Sequence, residues 1–177
     1  MIGEKLTNAL SAQINAEYYS AYLYLAMSAY AKHSGFNGFA NWLFVQAQEE
    51  LAHGTHIYHY ILDRGAAPSF TAIQQPEVTF NDMNDVFEKV LAHEQKVTEM
   101  INNIATLALG ENDHACYQFI SWYVNEQVEE ESDAADIVSK LQMLDGNRGL
   151  ILSIDSEFAT RVFVNPFPQD SKLGGIA

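Results

Sequence analysis

Apolar residues recur at spacings of three and four positions along most of the chain, which is the periodicity of amphipathic α-helices. Four long segments show this pattern, at about 3–33, 37–64, 82–109 and 113–144, and a shorter one follows at about 148–163. Turn and stop signals separate them at 34–35, 65, 110–112 and 145–147. We expect Asn81 or Asp82 to cap the third helix. The pattern predicts an all-α protein with four long helices and a short fifth helix.

The connection between the second and third segments, residues 65–81, contains Pro68 and Pro76 and has no clear period. A connection this long inside a compact domain calls for a structural reason. A helix of about 28 residues is roughly 42 Å long, and an extended run of about 15 residues spans about 50 Å. The connection can therefore cross the full length of a bundle, so that the second and third helices run parallel.

We therefore predict an up-down four-helix bundle with one long crossover loop and a short C-terminal helix. Gly146 would let this fifth helix turn away from the bundle. The bundle domain is predicted to cover residues 1–164. Residues 165–177 hold two prolines and two glycines, and we expect them to form a loose tail.

The composition of the 177 residues is that of a packed globule, with 48% hydrophobic and 18% charged residues. Acids outnumber basic residues by 23 to 9, which gives a net charge of −14. Such a polyanion is a poor partner for nucleic acid or for an anionic membrane. It attracts cations, although acidity by itself can also serve only solubility.

The chain has a single cysteine, Cys116, so no internal disulfide can form. The first residues include no apolar leader, and no run of about 20 apolar residues occurs anywhere. We expect a cytoplasmic protein that does not span a membrane.

One glutamate interrupts each of the four apolar stripes at a similar depth: Glu17, Glu50, Glu94 and Glu130. Acids are rarely buried unless they are paired or bind metal. Two Fe(II) ions would neutralise four carboxylates, whereas without metal their repulsion and desolvation would raise the pKa values. Oxygen-rich ligands suit iron or manganese better than structural zinc. The alternative is that the helices are out of phase and these acids are exposed.

Three other side chains accompany the glutamates at helical spacings. His53 follows Glu50 by three residues, so both face the same way. Gln127 precedes the fourth-helix glutamate by three residues, and Tyr24 follows the first-helix glutamate by seven, two turns along the same face. His53 could instead be a structural histidine, and Tyr24 could be an ordinary core residue.

A second acidic group adjoins the first and consists of Glu49, Glu126 and Glu129. Helix geometry points its fourth-helix members roughly 40–60° away from the centre of the core. This group could form a third, more exposed cation site, or it could be a solvated face.

These residues resemble the ferritins, and most closely the bacterial non-haem ferritins. The resemblance runs from Leu6 to about Phe163 and is strongest in AQEELAH (47–53) and WYVNEQVEEE (122–131). It implies a first iron ligated by Glu17, Glu50 and His53 and a second by Glu94 and Glu130, with Glu50 bridging and Gln127 and Tyr24 alongside. It also implies a third iron site at Glu49, Glu126, Glu129 and Glu130.

The resemblance further implies an iron-storage subunit with a ferroxidase centre. Such a subunit oxidises Fe(II) to Fe(III) with O2 or H2O2 and stores the ferric mineral inside a shell. The shell would be a homo-oligomer of 24 subunits whose fourfold axes are lined by the fifth helix. The cofactors implied are two iron ions in each centre and a possible third.

The sequence departs from related families at several positions. Bacterioferritins have a Glu-x-x-His motif where this chain has Gln127-x-x-Glu130, and their haem-ligating methionine corresponds to Leu51, so we expect no haem. Tyr117 and Ile120 replace the acids that line the threefold channels of animal ferritins.

Two other functions remain open at this point. A rubrerythrin-like peroxidase or another di-iron oxidase would share the ligands, although one cysteine cannot supply the CxxC motifs of a rubredoxin module. A metal-free helical scaffold or binding protein would leave the inward glutamates unexplained.

Overall fold

The computed structural model describes residues 1–144 and 147–168. Within these residues the chain forms helices α1 (Glu4–His33), α2 (Asn37–Asp63), α3 (Met83–Gly110), α4 (His114–Met143) and α5 (Arg148–Phe158), and no strand. The predicted all-α architecture with five helices is confirmed. The boundary that differs most is the end of α5, which lies at Phe158 rather than near residue 163.

The early end of α5 has a physical reason in the neighbouring helix. The side-chain amide of Asn41 on α2 donates to the carbonyl oxygens of Phe158, at 3.0 Å, and of Arg161, at 2.8 Å. These bonds satisfy acceptors that a continuing helix would use itself. The chain therefore leaves α5 and continues along the bundle.

The apolar core consists of two clusters separated by a polar layer. Along α1 and α4 the chain passes from the second cluster to the first, whereas along α2 and α3 it passes from the first to the second. Helices α2 and α3 are therefore parallel, and residues 64–82 form the predicted crossover. Part of this loop lies along α1, where the backbone amide of Ser69 donates to Ser11 Oγ at 3.1 Å.

The helix ends follow the local sequence signals. The Asp82 carboxylate caps α3 by accepting from the backbone amide of Asp85, which resolves the choice between Asn81 and Asp82. Gly65 follows α2 with a φ of +76°, a conformation that favours glycine. Of the turn predicted at 145–147, the first two residues, including Gly146, lie outside the described residues, and Asn147 caps α5.

A close contact docks α5 onto the start of α2. Asp155 Oδ1 accepts from the backbone amides of Gly38, at 2.7 Å, and Phe39, at 2.9 Å. A carboxylate at a helix N-terminus is also favoured by the helix dipole. A Cβ atom on Gly38 would lie 1.5 Å from the carbonyl oxygen of Asp155, so only glycine permits this approach.

The segment after α5 returns to the bundle between α2 and α4. Phe167 is 4% exposed, and its ring stacks on His56 with centroids 3.7 Å apart and meets Trp122 edge-on at 4.6 Å. Of the described residues in the predicted loose tail, Phe167 is packed against the bundle, whereas its neighbours are exposed. Residues 169–177 lie outside the described residues, so the looseness there, like the domain boundary at residue 164, stays a prediction.

Among the described helices, none combines the length and the apolar character needed to span a membrane.

Replacement of Gly38 by alanine is expected to displace α5 while leaving the four long helices formed. The reason is the overlap of the new methyl group with the Asp155 backbone. We expect hydrogen-exchange protection of the α5 amides to fall at least about tenfold and the free energy of unfolding to drop by about 2 kcal/mol.

Gly110→Ala is the matched control, because a Cβ atom there would meet no atom within 4 Å. Equal α5 protection in the two variants would contradict the importance of this contact.

Candidate metal centre

The polar layer between the two apolar clusters contains the four inward glutamates. Glu17, Glu50 and Glu94 are 1%, 3% and 2% exposed, respectively, whereas Glu130 is half-buried. Each comes from a different long helix, so the bundle brings four carboxyl groups to its middle. The helical phase inferred from the sequence holds for the three buried acids and only partly for Glu130.

Metal-ligating atoms converge here in three overlapping groups, each with its atoms within 4.8 Å of one another. The groups are Glu17, Glu50 and His53; Glu50, Glu94 and Glu130; and His53, Glu126 and Glu130. Glu50 belongs to the first two groups, so this carboxylate lies between two potential cation positions. Three or more oxygen or nitrogen donors at each position suit a divalent ion.

Two glutamines that the sequence analysis had not singled out as site residues hold these carboxylates in place. Gln13 Nε2 donates to Glu17 Oε1 at 2.9 Å. Gln46 Nε2 donates to Glu130 Oε2 at 2.6 Å and lies 3.3 Å from Glu50 Oε1. Each glutamine precedes a buried glutamate of its own helix by four residues, and this shared spacing is the signal that could have identified them.

The Glu94 carboxylate is held from both sides. The Tyr24 phenol donates to Oε1, and Gln127 Nε2 donates to Oε2 at 3.2 Å. The structure thus places two of the three side chains that were predicted to accompany the glutamates, Tyr24 and Gln127, against the same carboxylate. Gln127 also lies 3.3 Å from Thr98 Oγ1, which fixes the amide between α3 and α4.

His53 is 3% exposed, with Nδ1 at 3.5 Å from Glu50 Oε2. In the described part of the chain, its buried Nε2 has no hydrogen-bond partner. The Tyr123 hydroxyl donates to the His53 carbonyl oxygen at 3.0 Å, which anchors this turn of α2. A buried imidazole with an unpartnered nitrogen fits a metal ligand, because polar atoms in a dry core otherwise have partners.

The electrostatics of the layer favour an added cation. Burial and the neighbouring Glu50 carboxylate raise the pKa of Glu17 well above its usual value. Burial acts to raise the pKa of Glu50 too, but the interactions with His53 and the hydrogen bonds with Glu17 and Gln46 together outweigh burial and lower that pKa. Burial raises the pKa of Glu94 to about 7, and loss of hydration with nearby carboxylates raises that of Glu130. Without metal, the layer retains protons that a cation can replace.

The second acidic group is only partly assembled. Glu126 is half-buried and approaches His53 and Glu130, but Glu129 is exposed and Glu49 pairs with Arg161 at 2.6 Å. Burial raises the pKa values of Glu49 and Glu126. No three-residue ligand group among the described residues contains Glu49 or Glu129, so the third cation site stays a prediction.

Comparison with known proteins gives consistent similarities over nearly the whole chain. The family model described as a ferritin-like domain matches residues 7–144. A bacterial non-heme ferritin of Staphylococcus aureus (strain MRSA252) is 36% identical over 163 residues, which are 92% of this chain and 98% of that protein.

Two solved structures are similar in both sequence and fold. The open-pore ferritin of the hyperthermophilic archaeon Archaeoglobus fulgidus is 42% identical, with a TM-score of 0.90 over 91% of this chain and 98% of that one. A closed form of the A. fulgidus ferritin, engineered by site-directed mutagenesis, is 42% identical, with a TM-score of 0.91 over 93% and 100%, respectively.

The stability of the metal-free protein should fall as the pH rises through the titration of Glu94. Its folded pKa of about 7 lies above the usual 4.5, so the folded state binds this proton more tightly than the unfolded chain. The resulting stabilisation is complete below the unfolded pKa of 4.5 and is lost as the pH rises through the folded pKa of about 7. Between pH 5 and pH 8 we expect Glu94 to account for a loss of about 2.5 kcal/mol, so the stability of Glu94→Gln, in which Glu17 and Glu130 still titrate, should fall by that much less.

Urea denaturation in the presence of a chelator measures this difference. Glu99→Gln, which removes an exposed carboxylate from the same helix, should follow the wild-type curve. Identical pH profiles for wild type and Glu94→Gln would contradict the assigned burial cost.

Proposed function

Because the chain belongs to the ferritin family of iron-storage proteins, we propose that it oxidises Fe(II) at the buried carboxylate layer and stores the ferric product inside a closed shell. The proposal rests on the position of the Glu50 carboxylate. This carboxylate lies within ligand distance of two groups of donors, as a residue that bridges two metal ions must. Iron is the substrate and the stored cargo in this scheme.

The proposed first iron position is formed by Glu17, Glu50 and His53, and the second by Glu50, Glu94 and Glu130. Four carboxylates balance the charge of two Fe(II) ions, so the loaded layer is neutral inside an apolar core. When the ions enter, the protons held by the raised carboxyl pKa values leave.

In the proposed reaction each Fe(II) gives up one electron, and one molecule of O2 or H2O2 accepts the two. The protein's part is to hold both ions close together between two apolar clusters that limit the access of bulk water. Gln13 and Gln46 fix the orientation of their carboxylates through hydrogen bonds, and Tyr24 and Gln127 fix Glu94. The phenol of Tyr24 is also placed to donate a proton or an electron at the second position.

A homo-oligomeric shell is the proposed storage form, and the surface of one subunit supports it. Tyr22, Leu25, Ile73 and Val78 are exposed on α1 and on the crossover beside it. Leu150 and Leu152 are exposed on α5. Apolar patches of this kind favour burial against other copies of the chain. By family resemblance the shell has 24 subunits, and Glu49, Glu126 and Glu129 mark a third iron position.

Glu50→Ala is expected to abolish the rapid phase of Fe(II) oxidation, because it removes the one carboxylate shared by both proposed positions. The rate of the first phase should fall at least about 100-fold, because loss of even an outer-shell partner of a metal ligand costs about 10–100-fold. Stopped-flow absorbance after aerobic addition of Fe(II) measures it.

Glu99→Gln is again the control, since this carboxylate is exposed on α3. Far-UV circular dichroism should show the same helix content in both variants. A normal fast phase in folded Glu50→Ala would refute the bridging role.

The native particle is expected to have about 24 times the subunit mass of 19.8 kDa and to retain iron after loading. Light scattering coupled to size-exclusion chromatography, with iron analysis of the same fraction, tests both points. A monomer or a dimer with only a pair of bound metal ions would instead favour a di-iron oxidase.

A further inference from the structure

Arg161, which pairs with Glu49, follows α5 in the chain and places a positive charge at the edge of the metal centre. Arg161 Nη2 is 2.6 Å from Glu49 Oε2, and Arg161 Nη1 donates to Gln46 Oε1 at 3.0 Å. The guanidinium also lies over the Trp42 ring, 4.6 Å from its centroid. A planar guanidinium held by a carboxylate, an amide and an aromatic face is well fixed in position.

The surroundings of Arg161 are strongly acidic. It lines a cavity of about 200 Å³ beside the carboxylate layer. The acids that line the same cavity are Glu49, Glu94, Glu126, Glu129, Glu130 and Asp133. Among the described residues that line this cavity, Arg161 is the one with a positive charge. A cation placed among so many carboxylates reduces their attraction for a further metal ion.

The backbone around Arg161 is tied down on both sides, so its side chain does not move freely at the surface. Asn41 holds the carbonyl oxygen of Arg161 at 2.8 Å, and Phe167 is buried between α2 and α4. The guanidinium also connects to the core, because Gln46, which it contacts, donates to Glu130 and lies beside Glu50.

We propose that Arg161 acts as a built-in cation that competes with a third metal ion for Glu49, so that the resting centre holds two ions. The inference rests on the proposed function, since it assumes that the carboxylate layer binds metal. A third ion that uses Glu49 must first displace the guanidinium. Arg161 is thus a positioning residue that sets the occupancy and affinity of the third position.

Removal of the positive charge of Arg161 should allow a third metal ion to bind at Glu49. Isothermal titration of the metal-free protein with Zn(II), a redox-inert probe, should give two tight sites per subunit in the wild type. Arg161→Met keeps an apolar side chain against Trp42 and should add a third site that binds at least about tenfold more tightly than any third ion in the wild type. A tenfold change corresponds to about 1.4 kcal/mol, comparable to the net contribution of one charge-assisted hydrogen bond.

Two further variants test whether the gained metal site depends on Arg161 and Glu49 specifically. Arg64→Met is the matched control, because Arg64 also forms a 2.8 Å ion pair, with Asp113, at the far end of α2. It should keep the wild-type stoichiometry. Glu49→Gln added to Arg161→Met should remove the gained site. If Arg161→Met fails to fold by circular dichroism and sizing, Arg161→Gln, which keeps a donor but no charge, replaces it.

The possible outcomes distinguish failure of the proposed role of Arg161 from failure of the proposed function. Equal third-ion affinity with and without Arg161, or a gained site that survives loss of Glu49, overturns the role of Arg161. Absence of the two shared tight sites in every variant overturns the proposed function instead.

Discussion

The cost of placing three buried carboxyl groups and one half-buried carboxyl group in the middle of a helical bundle governs the organisation of this molecule. An uncompensated buried carboxylate loses far more hydration energy than any apolar neighbour restores. The chain offsets this cost with hydrogen bonds from Gln13, Gln46, Tyr24 and Gln127, with the imidazole of His53, and with retained protons. These interactions lower the cost of the metal-free layer, and its remaining negative charge still attracts cations.

The two apolar clusters on either side of the layer supply the stability that the layer itself lacks. Fully buried side chains such as Leu10, Ile14, Phe39 and Phe87 pack above and below it and hold the four helices at a fixed separation. Burial of each such side chain contributes about 1.5–3 kcal/mol. A rigid frame of this kind keeps the carboxylates within ligand distance even though they repel one another.

Much of this arrangement could be predicted from the sequence, because helical periodicity and one inward acid per helix are local signals. The crossover, the parallel pair of helices and the burial of Glu17, Glu50 and Glu94 follow from spacing alone. The position of Arg161 and the burial of Phe167 could not be predicted, because each depends on where the chain goes after α5 ends. That direction is set by contacts with Asn41 and Gly38, more than 100 positions earlier in the chain.

The crossover also divides the proposed metal ligands between two halves of the chain, and this division constrains how the molecule folds. Glu17, Glu50 and His53 lie on the α1–α2 hairpin, whereas Glu94 and Glu130 lie on the α3–α4 hairpin. Each hairpin is built from contacts that are close in sequence and form quickly, whereas docking of the hairpins closes a longer loop. The complete charged layer is therefore assembled only when the two hairpins dock and like charges from the two halves meet. A proton or a metal ion present at that moment would speed the docking of the hairpins as well as stabilise the product.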